Sequence, residues 1–306
     1  MVNKFFARNI SLLATLNFGA AFGTLSTCAL NEYSTYKEQQ ETGVHLLYSK
    51  ETDAYRDYEN SPPKQVENFY MLNHINQSFD FVLQKKAEFC ALERQKMSIW
   101  EAMDQLNQLI DESDPDMNLP QCYHFYQTAE ALRRDGYPRW FILAGFIHDL
   151  GKILAMYGEP QWAVVGDTFP VGCAYSEKIV FPHYFQSNPD VQIELYQTKW
   201  GIYSPGCGFS HLHMSWGHDE YLYQVVKDYL PAEAAYIIRF HSFYAAHKEG
   251  AYEYFMDEMD DQMLPWLQLF SRYDLYSKTS EKLDIESLKP YYQALISEFF
   301  PEPINW

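Results

Sequence analysis

The fold is decided by residues 141–152, whose sequence is FILAGFIHDLGK. Six of the first seven side chains are apolar, and His148 and Asp149 then stand side by side. Residues 140–157 contain no proline and are apolar on nearly every face, which predicts a buried helix. A carboxylate in such a helix is costly unless it is paired, hydrogen-bonded or bound to a metal ion. The segment therefore predicts either a metal site or a hydrogen-bonded core histidine followed by a loop aspartate.

Helix geometry is compatible with the metal site. Adjacent positions point about 100° apart, so His148 and Asp149 can both reach ions that lie along one edge of the helix. Lys152 follows them by about one turn and overhangs the same edge. The choice between the two alternatives depends on partners elsewhere in the chain.

The composition limits the class of protein. The chain has 306 residues, of which 47% are hydrophobic, so it can bury a large core. A net charge of -18 repels phosphate backbones, so we expect no nucleic-acid partner. The five cysteines are scattered, odd in number and contain no CxxC pair. This pattern argues against a disulfide framework or a zinc ribbon and favours a reducing compartment.

The amino-terminal segment differs from the rest of the chain. In residues 1–31 the only charges are Lys4 and Arg8, and the apolar run is broken by polar residues. This composition is too polar for a membrane span and predicts a leader or a disordered tail. We therefore expect a cytoplasmic protein, with an exported or organellar location as the alternative if residues 1–31 are cleaved. Residues 32–63 predict an extended polar arm.

Residues 64–306 predict a single catalytic domain built as a helical bundle, which we expect to be monomeric and not to bind a membrane. Residues 66–110 predict two helices that break near residues 84–87. Further helices are predicted at 121–134, 189–199, 216–229, 231–247, 251–260, 263–277 and 285–299. Glycines and prolines between residues 158 and 182 predict an irregular insert, with a short β-hairpin formed by 163–165 and 179–181. The fold class is therefore all-α, with a short irregular or β-hairpin insert.

Four further histidine or aspartate residues lie in predicted helices or at a helix start: His124, His218, His241 and Asp274. Each alone is more often a hydrogen-bonded core residue than a ligand. Together with His148 and Asp149 they supply four imidazoles and two carboxylates. This donor set, without thiolate, suits Fe, Mn or Zn with open coordination positions. Six groups are too many for one catalytic ion and sufficient for two. Asp149 is the candidate bridge, because a carboxylate can bind two ions.

The order His, His-Asp, Asp resembles the HD-domain superfamily, which consists mostly of metal-dependent phosphohydrolases. From about residue 56 to residue 306 the chain is more specifically similar to the myo-inositol oxygenase family. The similar segments are 111–116 (DESDPD), 148–152 (HDLGK), 158–173 (GEPQWAVVGDTFPVGC), 215–221 (SWGHDEY), 239–244 (RFHSFY) and 274–276 (DLY). The resemblance implies an HD-domain-like bundle and an oxidoreductase that cleaves the ring of myo-inositol with O2 to give D-glucuronate.

The resemblance also implies two iron ions per chain in a mixed Fe(II)/Fe(III) state. It places His124, His148, Asp149 and Asp274 on the first iron. Asp149 bridges to the second iron, which also takes His218 and His241. Asp219 forms a second His-Asp pair with His218 but falls outside the implied ligand set, where it can orient His218.

The implied substrate contacts are Arg56, Asp111, Glu112, Ser113, Lys152, Gly166, Asp167, His241 and Ser242. Lys152 and Asp149 are the candidate catalytic residues. The Lys152 ammonium can donate hydrogen bonds to a developing alkoxide. Asp111, Ser113 and Asp167 offer acceptors to a ring that carries only hydroxyl groups.

Two other functions remain open at this point. The first is an HD-type phosphohydrolase of a nucleotide or small phosphorylated molecule, which needs cations for the phosphate. The motifs offer chiefly Lys152 and Arg56 for that role, in a strongly acidic chain. The second is a non-catalytic iron-binding or sensing protein, which predicts metal binding without turnover of inositol.

Overall fold

The computed structural model describes residues 63–107, 109, 121–276 and 283–306. Within them the chain is helical, and the predicted all-α fold is confirmed. The helices are α1 Lys64–Asn76, α2 Phe79–Phe89, α3 Ile99–Leu106, α4 Gln121–Arg134, α5 Arg139–Ile147, α6 His218–Val226, α7 Ala232–Phe240, α8 Tyr244–His247, α9 Glu258–Tyr276 and α10 Ile285–Phe299. Two of the predicted helices, 121–134 and 285–299, match α4 and α10 at both ends.

The central apolar segment forms two kinds of helix rather than one. Helix α5 ends at Ile147, and a 3₁₀ helix continues over Leu150–Tyr157. His148 and Asp149 lie at the junction. Every residue from 141 to 147 is buried, and α5 packs against α4, α7 and α10. The predicted buried segment is therefore correct, and the break falls at the His-Asp pair.

This segment is also the one helical stretch in the described residues that is long and apolar enough to cross a membrane. It runs over Arg139–Tyr157, and 78% of its most apolar window is buried inside the domain. A core helix of this length has the same composition as a membrane span. Its burial accounts for its apolar character.

The prediction for residues 66–110 placed the boundaries between helices incorrectly. Three helices occupy this region instead of two, and the expected break near 84–87 lies inside α2. Two serines set the true boundaries. Ser78 accepts the N–H of Phe81 at the start of α2, and Ser98 forms a reciprocal capping box with Glu101 at the start of α3. Serine at these positions stabilises a helix start by bonding to otherwise unpaired N–H groups.

The insert is irregular, and the predicted hairpin is not formed. Residues 161–163 form a 3₁₀ turn and residues 179–181 a bend, without pairing between them. The predicted helix 189–199 was also wrong, because two 3₁₀ turns, Pro189–Gln192 and Glu194–Gln197, replace it. Asp190 explains the difference: it is buried and accepts the N–H of Phe79 at 2.8 Å, so a contact with α2 sets the turn.

The carboxyl end of the chain forms a short antiparallel sheet that sequence analysis did not predict. Strand β1, Lys96–Met97, pairs with β2, Ile304–Asn305. The indole N–H of Trp306 donates to the carbonyl of Met97 at 3.1 Å, and Trp306 is buried. The predicted helix 263–277 lies within helix α9 over its described residues, whereas the first part of the predicted helix 251–260 was wrong. A 3₁₀ turn and the single long helix α9 occupy that region.

Candidate metal centre

All six predicted ligand residues are buried in one cluster at the centre of the bundle. They come from α4, the end of α5, the start of α6, the end of α7 and the last turns of α9. We call His124, His148 and Asp274 the first group, and His218, His241 and Asp219 the second group. In each group one donor atom from every residue lies within 4.8 Å of the others. Asp149 lies between the two groups.

Two of the histidines are presented by the same local device. His148 directly follows α5 and His241 directly follows α7. In each case Nδ1 lies against the carbonyl oxygen three residues earlier, at 3.0 Å from Gly145 and 2.9 Å from Ile238. The last carbonyls of a helix lack helical partners, so the ring nitrogen satisfies one of them by donating its proton. This leaves the lone pair of Nε2 to face the cluster.

His218 is presented by the irregular insert. It is the first residue of α6, and both its backbone N–H and its Nδ1 donate to the carbonyl of Val164, at 2.8 and 2.7 Å. The carboxylates of Asp219 and Glu220 in the first helical turn complement the positive end of the helix dipole. His218 therefore also directs Nε2 toward the cluster.

A glycine makes this arrangement possible. A Cβ atom at Gly151 would lie 2.0 Å from the carbonyl oxygen of His218. No larger residue can occupy the position unless the backbone moves. The glycine in the HDLGK sequence thus lets the 3₁₀ segment approach the start of α6.

The first group is closely spaced. Oδ1 of Asp274 lies 2.8 Å from Nε2 of His124 and 3.3 Å from Nε2 of His148. Oδ2 of Asp149 lies 3.4 Å from Nε2 of His148 and 3.8 Å from Nε2 of His124. Four donor atoms on separate side chains therefore surround one point.

The other oxygen of Asp149 faces the second group. Oδ1 lies 3.3 Å from Nε2 of His218 and 3.7 Å from Nε2 of His241. These two nitrogens are 3.2 Å apart. Because its two oxygens face different histidine pairs, Asp149 has the orientation that a carboxylate needs to join two ions.

Asp219 lies closer to this cluster than sequence reasoning indicated. Its Oδ1 is 2.8 Å from Nε2 of His218 and 3.4 Å from Nε2 of His241. Its oxygens also accept the backbone N–H and the hydroxyl of Ser242, each at 3.1 Å. The one sequence signal for this residue was the second His-Asp pair, at 218–219.

The electrostatics of the cluster favour bound cations. Burial alone would raise the pKa of Asp149, but the charges of Lys152 and His148 outweigh it and hold that pKa well below its usual range. Lys152 Nζ lies 2.9 Å from Oδ2 of Asp149. Burial would lower the pKa of His218, yet Asp219 and Asp149 raise it to about 10. The carboxylates thus draw positive charge into a buried site.

The residues present fit a pair of metal ions. Nε2 of His148 is buried and has no hydrogen-bond partner aligned with it, although carboxylate oxygens lie nearby. Three histidines donate Nδ1–H to carbonyl oxygens, which leaves Nε2 available to a metal. Imidazole and carboxylate donors without thiolate suit iron, manganese or zinc.

Several predicted substrate contacts lie beside the second group. Gly166 has a φ of +89°, and a Cβ there would lie 2.6 Å from the ring of Phe69, so only glycine fits. Asp167 is buried and accepts the hydroxyl of Tyr70 at 2.8 Å. The N–H of Thr168 donates to the carbonyl of Ser242 at 2.9 Å, which joins this loop to the end of α7. Arg56, Asp111, Glu112 and Ser113 lie outside the described residues.

Comparison with known proteins identifies the family. A family model described as "Myo-inositol oxygenase" matches residues 63–306. Inositol oxygenase 4 of Arabidopsis thaliana is 51% identical over 82% of this chain and 82% of its own length. Inositol oxygenase of Dictyostelium discoideum is 47% identical over 92% of this chain and 98% of its own length. Inositol oxygenase of Mus musculus is 48% identical over 84% of this chain and 93% of its own length. The chain therefore belongs to the myo-inositol oxygenase family.

Proposed function

We propose that this chain cleaves the ring of myo-inositol with O2 and releases D-glucuronate and water. The observation that carries the proposal is Asp149, buried between two histidine pairs in a member of this family. The relatives are named inositol oxygenases, which supports both the substrate and the oxidant. The same names argue against the phosphohydrolase and the non-catalytic alternatives.

We further propose two iron ions per chain. His124, His148 and Asp274 would hold the first ion together with Oδ2 of Asp149. His218 and His241 would hold the second together with Oδ1 of Asp149. A mixed Fe(II)/Fe(III) state is part of this proposal. Iron bound here supplies the redox chemistry for O2 and coordination positions for vicinal hydroxyls of the substrate.

Lys152 is the proposed catalytic cation. Its ammonium contacts Oδ2 of Asp149 at 2.9 Å, and its side chain is buried. A buried ammonium can donate further hydrogen bonds to a substrate oxygen and stabilise the negative charge that develops there. Asp149 fixes the position of this cation, so the two residues act together.

A second set of residues would bind the polyol. The Ser242 hydroxyl donates to Asp219 of the second group, and the Thr168–Ser242 hydrogen bond joins Ser242 to the loop that carries Gly166 and Asp167. Such groups can donate to and accept from the hydroxyls of an uncharged ring. We propose that Arg56, Asp111, Glu112, Ser113 and His241 complete the substrate contacts.

The test is an aerobic assay of iron-loaded protein with myo-inositol. We expect one molecule of D-glucuronate for each O2 consumed, because the ring cleavage takes up both oxygen atoms of O2 into product and water. His211→Ala is the matched control, since His211 is exposed and lies outside the cluster, and it should retain activity. Folded, iron-replete protein that consumes no O2 and forms no glucuronate would refute the proposal.

We also propose that the protein acts in the cytoplasm as a monomer. The cysteines support a reducing compartment, because Cys90, Cys122, Cys173 and Cys207 are all free in the structure. Fractionation of cells and sequencing of the mature amino terminus test the location. Light scattering of the purified protein tests the oligomeric state.

A further inference from the structure

We infer that Asp219 is a ligand of the second ion while substrate is absent, and that the vicinal hydroxyls of the substrate displace it. The inference rests on the proposed di-iron function and adds a residue that the family resemblance leaves outside the ligand set. Asp219 would thus occupy a coordination position of the second ion until substrate binds.

The spacing of the donor atoms supports a shared ion. Bonds from first-row metal ions to nitrogen and oxygen are about 2.0–2.2 Å, so neighbouring ligands at right angles lie about 3 Å apart. Around the second group, Oδ1 of Asp219 lies 2.8 and 3.4 Å from the two imidazole nitrogens. Oδ1 of Asp149 lies 3.3 and 3.7 Å from the same nitrogens. These separations are those of neighbours around one centre.

The hydrogen bonding of His218 gives a second argument. Its Nδ1 proton is donated to the carbonyl of Val164, so neutral His218 presents a lone pair at Nε2. Oδ1 of Asp219 lies 2.8 Å from that lone pair. Two acceptors this close repel each other unless a positive centre lies between them. A proton on Nε2 meets this requirement in the metal-free protein, and a metal ion bound by Nε2 meets it in the loaded protein.

Ser242 explains how Asp219 can leave the ion without becoming unpaired. Oδ2 of Asp219 accepts the backbone N–H of Ser242, and Oδ1 accepts its hydroxyl. A buried carboxylate that loses one partner is strongly destabilised unless others remain. Because Ser242 supplies both, the carboxylate can rotate away from the ion and stay hydrogen-bonded. Ser242 is also a proposed substrate contact, so the same residue would take part in substrate binding and in the release of Asp219 from the ion.

The consequence is control over O2. His218, His241 and Asp149 leave several coordination positions of the second ion open. Asp219 occupies one of these positions while substrate is absent. O2 then finds less access to the iron before inositol is present. Displacement by a diol, whose two oxygens take the position that Asp219 leaves and a neighbouring one, exchanges the carboxylate for the substrate that is to be oxidised.

The test compares iron-loaded wild-type protein with Asp219→Asn, whose amide is a poor iron ligand of the same shape. We expect the variant to keep both irons. We expect its Mössbauer spectrum without inositol to differ from that of the wild type, and the spectra with inositol to agree. O2 should oxidise the substrate-free variant faster. Identical substrate-free spectra in folded, iron-replete proteins would overturn the inference.

Further measurements separate this result from other causes. Ser242→Ala keeps the carboxylate and should retain the wild-type substrate-free spectrum. If Asp219→Asn does not fold, infrared difference spectra of wild-type protein labelled with carbon-13 aspartate make the same test. Inositol must shift a band of coordinated aspartate, and no shift would contradict displacement.

His218→Ala tests the proposed centre itself. If this variant keeps the second iron, the proposed function is refuted. If it loses the second iron but Asp219→Asn gives the wild-type spectrum, only the role of Asp219 is refuted.

Discussion

The two histidine groups differ in what surrounds them. In the first group His124 and Asp274 lie inside helices, and the His148 ring lies 5.3 Å from that of Phe270 and 6.4 Å from that of Phe125. The second group lies at helix ends and contacts irregular segments through the carbonyl of Val164 and the amide of Ser242. The difference agrees with our proposal that the second group exchanges a ligand with substrate whereas the first group keeps fixed coordination.

The outer contacts of the two aspartates follow the same division. Oδ2 of Asp274 is approached by the hydroxyl of Tyr244 at 3.4 Å, a long hydrogen bond. Asp219 instead receives two donors from Ser242 at 3.1 Å. Each aspartate is thus oriented from behind, but only the partner of Asp219 is also a proposed substrate contact. We therefore expect substitutions to separate the two halves.

The largest effect is expected from Asp149→Ala, which removes the one residue that both groups share. Both irons should be lost, and turnover should be abolished with them. Iron content per chain, measured after gel filtration, checks this. Retention of both ions would contradict the bridging role. His211→Ala, prepared in parallel, should keep its iron.

A smaller effect on metal content is expected from His241→Ala. The second ion should be lost while the first group, with its three residues and Oδ2 of Asp149, keeps one iron per chain. His148→Ala is the matched change in the first group, since both histidines follow a helix and use the same Nδ1 contact. If the two variants lose the same iron by Mössbauer spectroscopy, the division into two sites is wrong.

Lys152→Ala should leave both irons in place and slow the reaction. Losing one preorganised donor to a developing negative charge typically costs roughly 10² to 10³ in kcat. Lys152→Arg keeps the charge but changes its shape, so it should recover part of the rate. Iron content and kcat measured on the same samples check the result. A fall in iron as large as the fall in kcat would mean that Lys152 is a structural support instead.

The smallest effect concerns the insert beside the second group. Burial lowers the pKa of His74 from 6.5 to about 4, although its bond to the carbonyl of Val180 opposes the shift. Above pH 6.5 His74 is neutral in both states, but below it the unfolded chain binds a proton that the buried side chain resists, so the free energy of unfolding decreases as pH falls from 6.5 toward 4. The difference between the unfolded-state and folded-state pKa of His74 corresponds to about 3 kcal/mol in the free energy of unfolding. Urea unfolding should show this loss, and His74→Gln should show a weaker pH dependence between pH 6.5 and 4.

That measurement also has a clear contrary result. If wild type and His74→Gln lose stability in parallel over this range, His74 does not hold the insert as a neutral side chain. His211→Ala serves as the control, because His211 is exposed and lies far along the chain from His74 and Val180.

Sequence patterns predicted the helical class and the residues that converge at its centre, because both depend on local chemistry. Apolar periodicity located α4 and α10 at both ends, and buried ionisable residues identified the six proposed ligands. The change from α5 to a 3₁₀ helix was not predictable in this way. It follows from the close approach of Gly151 to the carbonyl of His218, which is a contact between distant parts of the chain.

The detailed turns of the insert and the exact position of Asp219 were not predictable for a related reason. The turn at Asp190 is set by its bond to the N–H of Phe79, and β1 pairs with a strand near the opposite end of the chain. Both contacts join residues that are far apart in the sequence, so a local sequence pattern does not predict them. The position of Asp219 depends on how α6 and the end of α7 meet, since its contacts are His218, His241 and Ser242.

The most direct measurement is anomalous diffraction at the iron absorption edge from crystals of the iron-loaded protein. Two iron peaks should appear, one within bonding distance of Oδ2 of Asp149 beside the first group and one within bonding distance of Oδ1 beside the second. A single peak, or two peaks that do not share Asp149, would contradict the proposed centre.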